Sequence, residues 1–159
     1  MSKIDEMIKE CMSPDGTILN LRDKYLGLRG TMELANNPAL ATVKELILPG
    51  NQCVDEGTEA LAESPHLGNL EILNLNLNDI GDDGAIAIAN SANFPKLTKL
   101  EMFGNVIGDE GAKAFADSPQ SKKLVKLDLY KNQFSSEGLK ALTESENLKN
   151  CEELEVYRE

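Results

Sequence analysis

The sequence predicts an α/β solenoid in which every turn contributes one strand and one helix. Three features indicate this fold class: a repeated asparagine, a repeated glycine and repeated apolar columns, all at one spacing of 27 residues. The asparagines are Asn51, Asn78, Asn105 and Asn132, and the glycines are Gly57, Gly84, Gly111 and Gly138, with Gly30 one step earlier. A period between about 20 and 50 residues is typical of a stacked repeat architecture.

Two leucine columns locate the strand of each turn. They are two residues apart, so both side chains leave the strand on the same face, toward the core. The columns are Leu46, Leu73, Leu100 and Leu127, then Leu48, Leu75, Met102 and Leu129. Two further apolar columns are Val43, Leu70, Leu97 and Leu124, and Cys53, Ile80, Ile107 and Phe134. Because strands stack at about 4.8 Å and helices need about 10 Å, the sheet should form the concave side.

An acidic segment containing the repeated glycine predicts the helix of each turn. Asp and Ser are favoured N-cap residues, so we expect caps at Asp55, Asp82, Asp109 and Ser136. The acidic residue that follows each of them suits the positive end of the helix dipole. The inner face should carry Ala60/Leu61, Ala87/Ile88, Ala114/Phe115 and Ala141/Leu142. The glycine, four residues before the larger apolar side chain, should let the helix approach the strand layer closely.

The asparagine column has a structural interpretation. Backbone groups lose their ladder partners where a strand turns into a loop, and a buried carboxamide both donates and accepts hydrogen bonds. We therefore expect Asn51, Asn78, Asn105 and Asn132 to link neighbouring turns.

Metal or phosphate binding is the functional alternative for the acidic glycine segments. A calcium loop needs oxygen ligands at alternate positions, and Ile80 and Gly81 interrupt that series. A phosphate loop needs a glycine-rich run that ends in Lys and Ser or Thr, which this sequence lacks. We therefore expect no metal and no cofactor.

The two ends of the repeat array depart from the pattern. Ile4, Met7, Ile8 and Cys11 follow helical spacing, so we expect a helix over residues 2–13 that covers the first turn, with a loose tail as the alternative. This divides the chain into an N-terminal capping helix over residues 1–15 and about five and a half repeats over residues 16–159, in one continuous domain. In the first turn Lys24 stands at the asparagine position and Leu28 stands at the expected position of the helix cap. In the last turn Glu159 stands at the asparagine position.

Charge and cysteine content exclude several partner classes. The chain has 16 basic and 27 acidic residues, a net charge of −11, which argues against nucleic acid and anionic membranes as partners. No apolar run is long enough to span a bilayer. Cys11, Cys53 and Cys151 are an odd number without metal-ligand spacing, so we expect reduced thiols in a cytoplasmic location. Secretion without a cleaved leader is the alternative.

The pattern L-x-x-L-x-L-x-x-N, followed by "GDEGAKAFA", resembles the leucine-rich repeats of the ribonuclease-inhibitor type. That subclass includes the Ran GTPase-activating protein and the sensor arrays of innate-immunity receptors. The resemblance covers roughly residues 16–159. It implies a right-handed β/α horseshoe with strands on the concave side and helices on the convex side. It also implies that partners bind the concave face or its rim, without saying which partner.

The outward strand positions are free to carry a binding surface. Three of the seven aromatic residues occupy one outward column on successive turns, beside an acidic column and two lysines. The following residues should bind a protein or peptide partner, for example one with a basic patch: Phe103, Tyr130, Tyr157, Glu101, Asp128, Glu155, Lys99 and Lys126. The structural alternative is that stacked rings stabilise neighbouring strands. Six strands span only about 24 Å, which implies rim loops or a short peptide ligand.

Catalysis has little support in the sequence. His66 is the only histidine and falls in a polar column at the helix end, and no nucleophile or ligand motif is present. We therefore expect a monomeric interaction module that is not an enzyme. Two alternatives remain: a regulator of a GTPase or another enzyme, and a scaffold that self-associates through its C-terminal edge strand. That strand carries Glu153, Glu155 and Arg158, charges that discourage pairing between edges.

Overall fold

The predicted fold class is confirmed, because the computed structural model shows six parallel strands alternating with helices. The structure describes residues 1–157. The strands are β1 (Ile18–Asn20), β2 (Glu45–Ile47), β3 (Ile72–Asn74), β4 (Lys99–Glu101), β5 (Lys126–Asp128) and β6 (Glu153–Glu155). The helices are α1 (Lys3–Cys11), α2 (Gly27–Ala35), α3 (Val54–Ala62), α4 (Asp82–Asn90), α5 (Asp109–Asp117) and α6 (Ser136–Thr143). Short 3-10 helices cover Pro38–Thr42, Pro119–Lys123 and Glu146–Leu148.

The sheet has the register that the repeat predicts. Its strands pair in chain order from β1 to β6, and every pair is parallel. Leu73 pairs with Leu46 on one side and with Leu100 on the other, so partners lie one sequence period apart. Each column of the repeat therefore becomes a straight row across the sheet, on both faces.

The apolar columns form the core, with exceptions on the helices and in the last turns. The leucines of β1 to β5, the leucines two residues further on and Met102 are at most 1% exposed, whereas Phe134 and Leu154 are only partly buried. Leu61, Ile88, Phe115 and Leu142 are buried as predicted, but the alanines before them are only partly buried. Fully buried alanines stand instead at Ala62, Ala85, Ala89, Ala112 and Ala116. The buried stripe of each helix is therefore centred about one residue away from its expected position.

The predicted N-caps are wrong, because the aspartate column caps the helix of the following turn. The residues at the N-cap positions of α3 to α6 are Cys53, Gly81, Gly108 and Ser135, of which only Ser135 accepts a side-chain bond, from the Glu137 N–H. The Asp55 Oδ1 accepts from the N–H groups of Gly81 at 2.8 Å and Gly84 at 2.9 Å. The same pair of bonds joins Asp82 to Gly108 and Gly111, and Asp109 to Ser135 and Gly138.

The repeated glycine brings neighbouring helices together rather than a helix and the sheet. A Cβ on Gly111 would lie 2.9 Å from the Asp82 Oδ1 and 3.0 Å from the Ala85 Cβ, both in the preceding helix. It would also lie 2.6 Å from the Ile107 Cγ2 of its own turn. The missing side chain thus leaves room for the capping carboxylate of the previous turn, which corrects the expectation that it serves helix–sheet packing.

The asparagine column joins turns through the side-chain amide. The Asn105 Oδ1 accepts from the backbone N–H groups of Asn78 at 2.9 Å and Ile80 at 3.1 Å. Its Nδ2 donates to the carbonyls of Leu75 and Met102, both at 3.0 Å. Asn51, Asn78 and Asn132 make equivalent bonds to the turns before them.

A serine column forms another connection between turns, which the sequence reasoning missed. The Ser91 hydroxyl donates to the Ala62 carbonyl at 2.6 Å, and the Ser118 hydroxyl donates to the Ala89 carbonyl at 2.6 Å. Ser64 and Ser145 donate in the same way to Ala35 and Ala116. These serines satisfy carbonyls at the C-terminal ends of the preceding helices, where intrahelical partners run out.

The N-terminal helix packs on the first turn. It covers Lys3–Cys11 of the predicted 2–13, with Ser2 and Asp5 forming a reciprocal capping box, and it buries Ile4 and Ile8. Met12 forms an antiparallel bridge with Leu19 of β1. The division into residues 1–15 and 16–159 as one domain stays a prediction. The expectations for Arg158 and Glu159 lie outside the described residues.

Candidate protein-binding surface

The aromatic column lies on the outward side of the sheet, clear of the core. Phe103 follows β4 and Tyr130 follows β5, and their ring centroids are 5.9 Å apart with planes inclined by 38°. Both rings are half-buried, while Tyr157 after β6 is 66% exposed. The Lys131 Nζ lies 5.9 Å from the centroid of the Phe103 ring. The three predicted aromatics therefore occupy one row, with a ring contact between the first two.

The acidic column is partly neutralised by its own lysine. The Lys126 Nζ lies 3.0 Å from the Glu101 Oε1 and 3.9 Å from the Glu153 Oε2. The hydrogen bond with Glu101 raises the pKa of Lys126 above its ordinary value. Lys126 is thus a link between strands as much as a flanking charge, whereas Lys99 at the start of β4 is exposed.

Asp128 is the most buried member of the acidic column. It is 9% exposed, and its Oδ1 accepts from the Tyr130 N–H at 3.0 Å. This bond holds the backbone that carries the Tyr130 ring. Asp128 therefore positions the aromatic row, in addition to any contribution of its charge to a partner, while Glu155 on the next strand is half-buried.

A groove lies at the C-terminal end of the aromatic row. It has a volume of about 390 Å³, and its lining includes Tyr130, Phe134, Leu139, Val156 and Tyr157. These side chains share the lining with Lys131, Asn132, Ser135 and Ser136, so the groove offers apolar and polar contacts side by side.

Leu77 is a candidate residue that the sequence reasoning missed. It has φ of +58°, and its side chain is 55% exposed. The same left-handed position recurs every 27 residues, at Asp23, Gly50, Leu77, Gly104 and Lys131. Glycine adopts this conformation freely, whereas a bulky side chain there costs about 1–2 kcal/mol. The glycines in this column were the available signal, because they mark a position where leucine is unexpected.

An isoleucine patch lies on the same face over the first three strands. Ile18 is 39% exposed, and Ile47 and Ile72 are half-buried. A groove of about 370 Å³ runs beside it, lined among others by Lys44, Glu71 and Lys99. These isoleucines were visible as outward positions in the sequence, but aliphatic side chains in a strand do not by themselves distinguish a surface patch from a core column.

The titratable and metal-ligating side chains of the described residues lie apart from one another. Over residues 1–157 no three His, Cys, Asp or Glu side chains come together as a metal site. The backbone N–H of His66 donates to the Ser64 hydroxyl just beyond the end of α3, and this bond involves no atom of the imidazole. Burial raises the pKa of the Cys53 thiol to about 11, which keeps it protonated and unreactive. Within the same residues, no helix is both long and apolar enough to cross a bilayer.

Comparison with known proteins identifies the repeat. A family model described as Leucine Rich repeat matches residues 66–89, 95–116 and 120–142. No curated protein sequence matches the chain. The solved structure "Leiomodin-1 Actin-Binding Site 2 (ABS2)" is 19% identical over 94% of this chain and 90% of that chain, with a TM-score of 0.66. An internalin from Listeria monocytogenes is 17% identical over 80% of this chain and 38% of its own, with a TM-score of 0.46.

The matched repeats and the six-stranded parallel sheet support the fold of a β/α leucine-rich-repeat solenoid. The likeness to Leiomodin-1 is a likeness of fold. The ribonuclease-inhibitor-like subclass stays a prediction.

Proposed function

We propose that this protein is an interaction module that binds a protein or peptide partner on the concave face of its sheet and performs no chemistry of its own. The observation that carries the proposal is the pair of outward rings, Phe103 and Tyr130, in contact at 5.9 Å outside the core. A half-exposed aromatic row has no role in filling the interior. Aromatic side chains are the residues that anchor protein interfaces.

The residues around the rings support the same proposal. Tyr157 extends the row, and the groove beside it suits an apolar anchor from the partner. Glu101, Asp128 and Glu155 place carboxylates next to the rings, so a partner with Lys or Arg is favoured. The strand face is small for a standard interface of about 800 Å² per partner, which favours a peptide or a contact that includes the rim.

A location in a reducing compartment belongs to the proposal. All three cysteines, Cys11, Cys53 and Cys151, are free thiols. Reduced thiols are the rule in the cytoplasm. We propose a cytoplasmic protein on this basis.

Self-association through β6 is disfavoured by charge. An antiparallel pair of β6 strands with its two-fold axis at Leu154 would place Glu153 opposite Glu155 of the second copy. Like charges directly opposite each other destabilise a strand pair. Regulation of a GTPase or another enzyme remains an alternative consequence of partner binding, and the captured partner would decide it.

The test is capture of partners from native lysate with wild-type protein and the Tyr130→Ala/Tyr157→Ala variant. Tyr25→Ala is a matched control, because Tyr25 is also an exposed tyrosine, 80% accessible, but lies in the first turn. We expect one partner to be lost with the double variant and kept with the control. Monomeric actin is a purified candidate to test in parallel, since the Leiomodin-1 structure is described as an actin-binding site. A partner retained equally by all three proteins would contradict the proposal.

A further inference from the structure

Five lysines lie along one edge of the solenoid, in a chain that is acidic as a whole. They occupy residues 92–100 and 118–127, the segments that lead from α4 and α5 into the next strands, and these segments contain no acidic residue. The five are Lys96, Lys99, Lys122, Lys123 and Lys126. Since the chain has 27 acidic and only 16 basic residues, this clustering departs from the average of the molecule.

The repeat places these lysines side by side on neighbouring turns. Lys99 pairs with Lys126 in the sheet register, and Lys96 and Lys123 are also one period apart. Like charges at neighbouring positions repel each other, so an anion between them is favoured. We call Lys96, Lys99, Lys122 and Lys123 the lysine edge, and Lys126 is left out because its charge is already paired.

The hydrogen bonds of the lysine edge leave its charge uncompensated. The Lys96 Nζ donates to the Asn69 Oδ1 at 2.8 Å. The Lys123 Nζ donates to the Phe94 carbonyl at 2.6 Å and to the Gln120 Oε1 at 3.2 Å, and all three acceptors are neutral. Burial lowers the pKa of Lys123, and no carboxylate raises it again. Among the described residues, the lysine edge makes no ion pair.

We propose that the lysine edge binds a short acidic segment of a partner protein, at a surface separate from the aromatic row. Phe103 and Tyr130 follow β4 and β5, whereas the lysine edge lies at the start of these strands. Asp or Glu carboxylates of the segment lie between the lysines of neighbouring turns and accept charge-assisted hydrogen bonds from both.

A polar groove beside Lys122 extends the surface toward the last turn. It has a volume of about 280 Å³ and is lined by Lys122, Glu146, Asn147, Lys149 and Asn150. Lys149 is paired with Glu146 at 3.3 Å, but the two side chains are 64% and 86% exposed. Because such exposed pairs contribute little to stability, a carboxylate of the partner can replace Glu146 beside Lys149.

Acidic residues on both sides limit the length of the ligand. Glu71 lies one turn before Thr98, and Glu152 lies one turn after Val125. Asp117 borders the lysine edge at the end of α5. A long polyanion such as nucleic acid would meet these carboxylates and the field of a chain with a net charge of −11, whereas a short acidic segment stays within two turns.

The exposed side chains of the edge also favour a peptide over nucleic acid or a membrane. Within residues 92–100 and 118–127, all of them described, no large apolar side chain is exposed, and the Phe94 ring is buried. Single-stranded nucleic acid stacks its bases on exposed aromatic side chains, and insertion into a membrane interface needs an apolar face. An acidic peptide needs only the lysines.

Fluorescence anisotropy with a fluorescein-labelled hexaglutamate peptide tests the proposal. We expect saturable binding to the wild-type protein that weakens as the salt concentration rises. Lys96→Gln/Lys122→Gln should lower the affinity about tenfold, because it removes two charges and keeps side chains that form hydrogen bonds. Lys122 makes no side-chain hydrogen bond among the described residues, so Lys122→Gln alone should keep the melting temperature and lower the affinity about threefold.

Lys24→Gln/Lys140→Gln is the matched control. It changes the net charge by the same amount, at exposed lysines of the first turn and of α6, and should keep the wild-type affinity. Equal losses in the two double variants would assign the effect to net charge and overturn the proposal. Absence of binding to the wild-type protein would overturn it as well.

Two further arms test other occupants of the lysine edge. Tighter binding of oligothymidylate or of phosphatidylserine vesicles than of hexaglutamate, lost in Lys96→Gln/Lys122→Gln, would overturn the acidic peptide in favour of that ligand. Self-association in light scattering that the same variant abolishes would assign the edge to the acidic surface of a second copy. Tyr130→Ala/Tyr157→Ala should bind hexaglutamate normally, so the proposed function is decided separately by lysate capture.

Discussion

Replacing Asn105 with alanine removes the amide that joins the third and fourth strand-helix turns. Asn105 is 4% exposed, so water has little access to the groups that it leaves behind. The N–H groups of Asn78 and Ile80 lose their acceptor and the Leu75 carbonyl loses its donor, whereas the Met102 carbonyl keeps a bond from the Asn132 Nδ2 at 2.9 Å. The two orphaned buried donors alone, at about 1–3 kcal/mol each, predict a loss of at least about 2–6 kcal/mol in the free energy of unfolding.

Urea unfolding followed by circular dichroism measures this loss. With a slope near 2 kcal/mol/M, a loss of about 3 kcal/mol lowers the midpoint by about 1.5 M. Asn132→Ala is the matched control, because the same amide on the next turn is half-buried and water can replace its bonds. We expect it to lose about 1 kcal/mol. Equal losses in the two variants, or a midpoint shift below about 0.5 M for Asn105→Ala, would refute the reasoning.

Three further substitutions test other contacts of the fold. Gly111→Ala should destabilise the fold by about 1–3 kcal/mol despite the higher helix propensity of alanine, since its Cβ would lie 2.6 Å from the Ile107 Cγ2. Gly68→Ala is the control, because a Cβ at that position meets no atom within 4 Å, and it should be neutral in the same urea titration. Hydrogen bonds, of which the one from the Ser135 hydroxyl has the largest effect, hold the pKa of Asp109 below its ordinary 3.8. The ionised Asp109 carboxylate therefore stabilises the fold at neutral pH, and this contribution is lost as the pH falls through the pKa of the folded state. Asp109→Asn should therefore reduce the fall of the unfolding midpoint below about pH 4, and an unchanged acid limb would contradict this. Lys126→Ala breaks a partly exposed ion pair and should lower the free energy of unfolding by less than about 1 kcal/mol, with a smaller difference from wild type in high salt. If salt leaves the difference unchanged, the loss comes from packing and not from the ion pair.

The strand register follows from the sequence because it depends only on the period. Residues one period apart, such as Leu73 and Leu100, must pair if every turn has the same length. The alternation within each strand then assigns Leu73 to the core and Asn74 to the outward face. The position of the aromatic row outside the core follows from the same two rules.

Contacts between turns are not fixed by the period. The spacing from Asp55 to its own helix suggests a local cap, yet its carboxylate bonds to Gly81 and Gly84, because the packed helices place their first turns side by side. The sequence cannot distinguish these two arrangements, since each repeats every 27 residues. The rotation of each helix about its axis, which decides between them, is set by packing.

The conformation of Leu77 was only partly predictable from the sequence. Two glycines in its column suggest a left-handed backbone, but leucine and lysine at the same column argue for an ordinary one. Neighbouring turns fix the loop geometry, through bonds such as that from the Leu77 N–H to the Phe103 carbonyl. The glycines were therefore a signal for this position, and the folded chain shows that leucine adopts the same conformation.

Nuclear magnetic resonance titration of the labelled protein with its captured partner tests the central claim most directly. We expect the largest chemical-shift changes on Leu77, Phe103, Tyr130 and the outward positions of β4 to β6, while the helices α3 to α6 stay unchanged. Changes concentrated on the exposed faces of those helices, with the rings of Phe103 and Tyr130 unaffected, would contradict it.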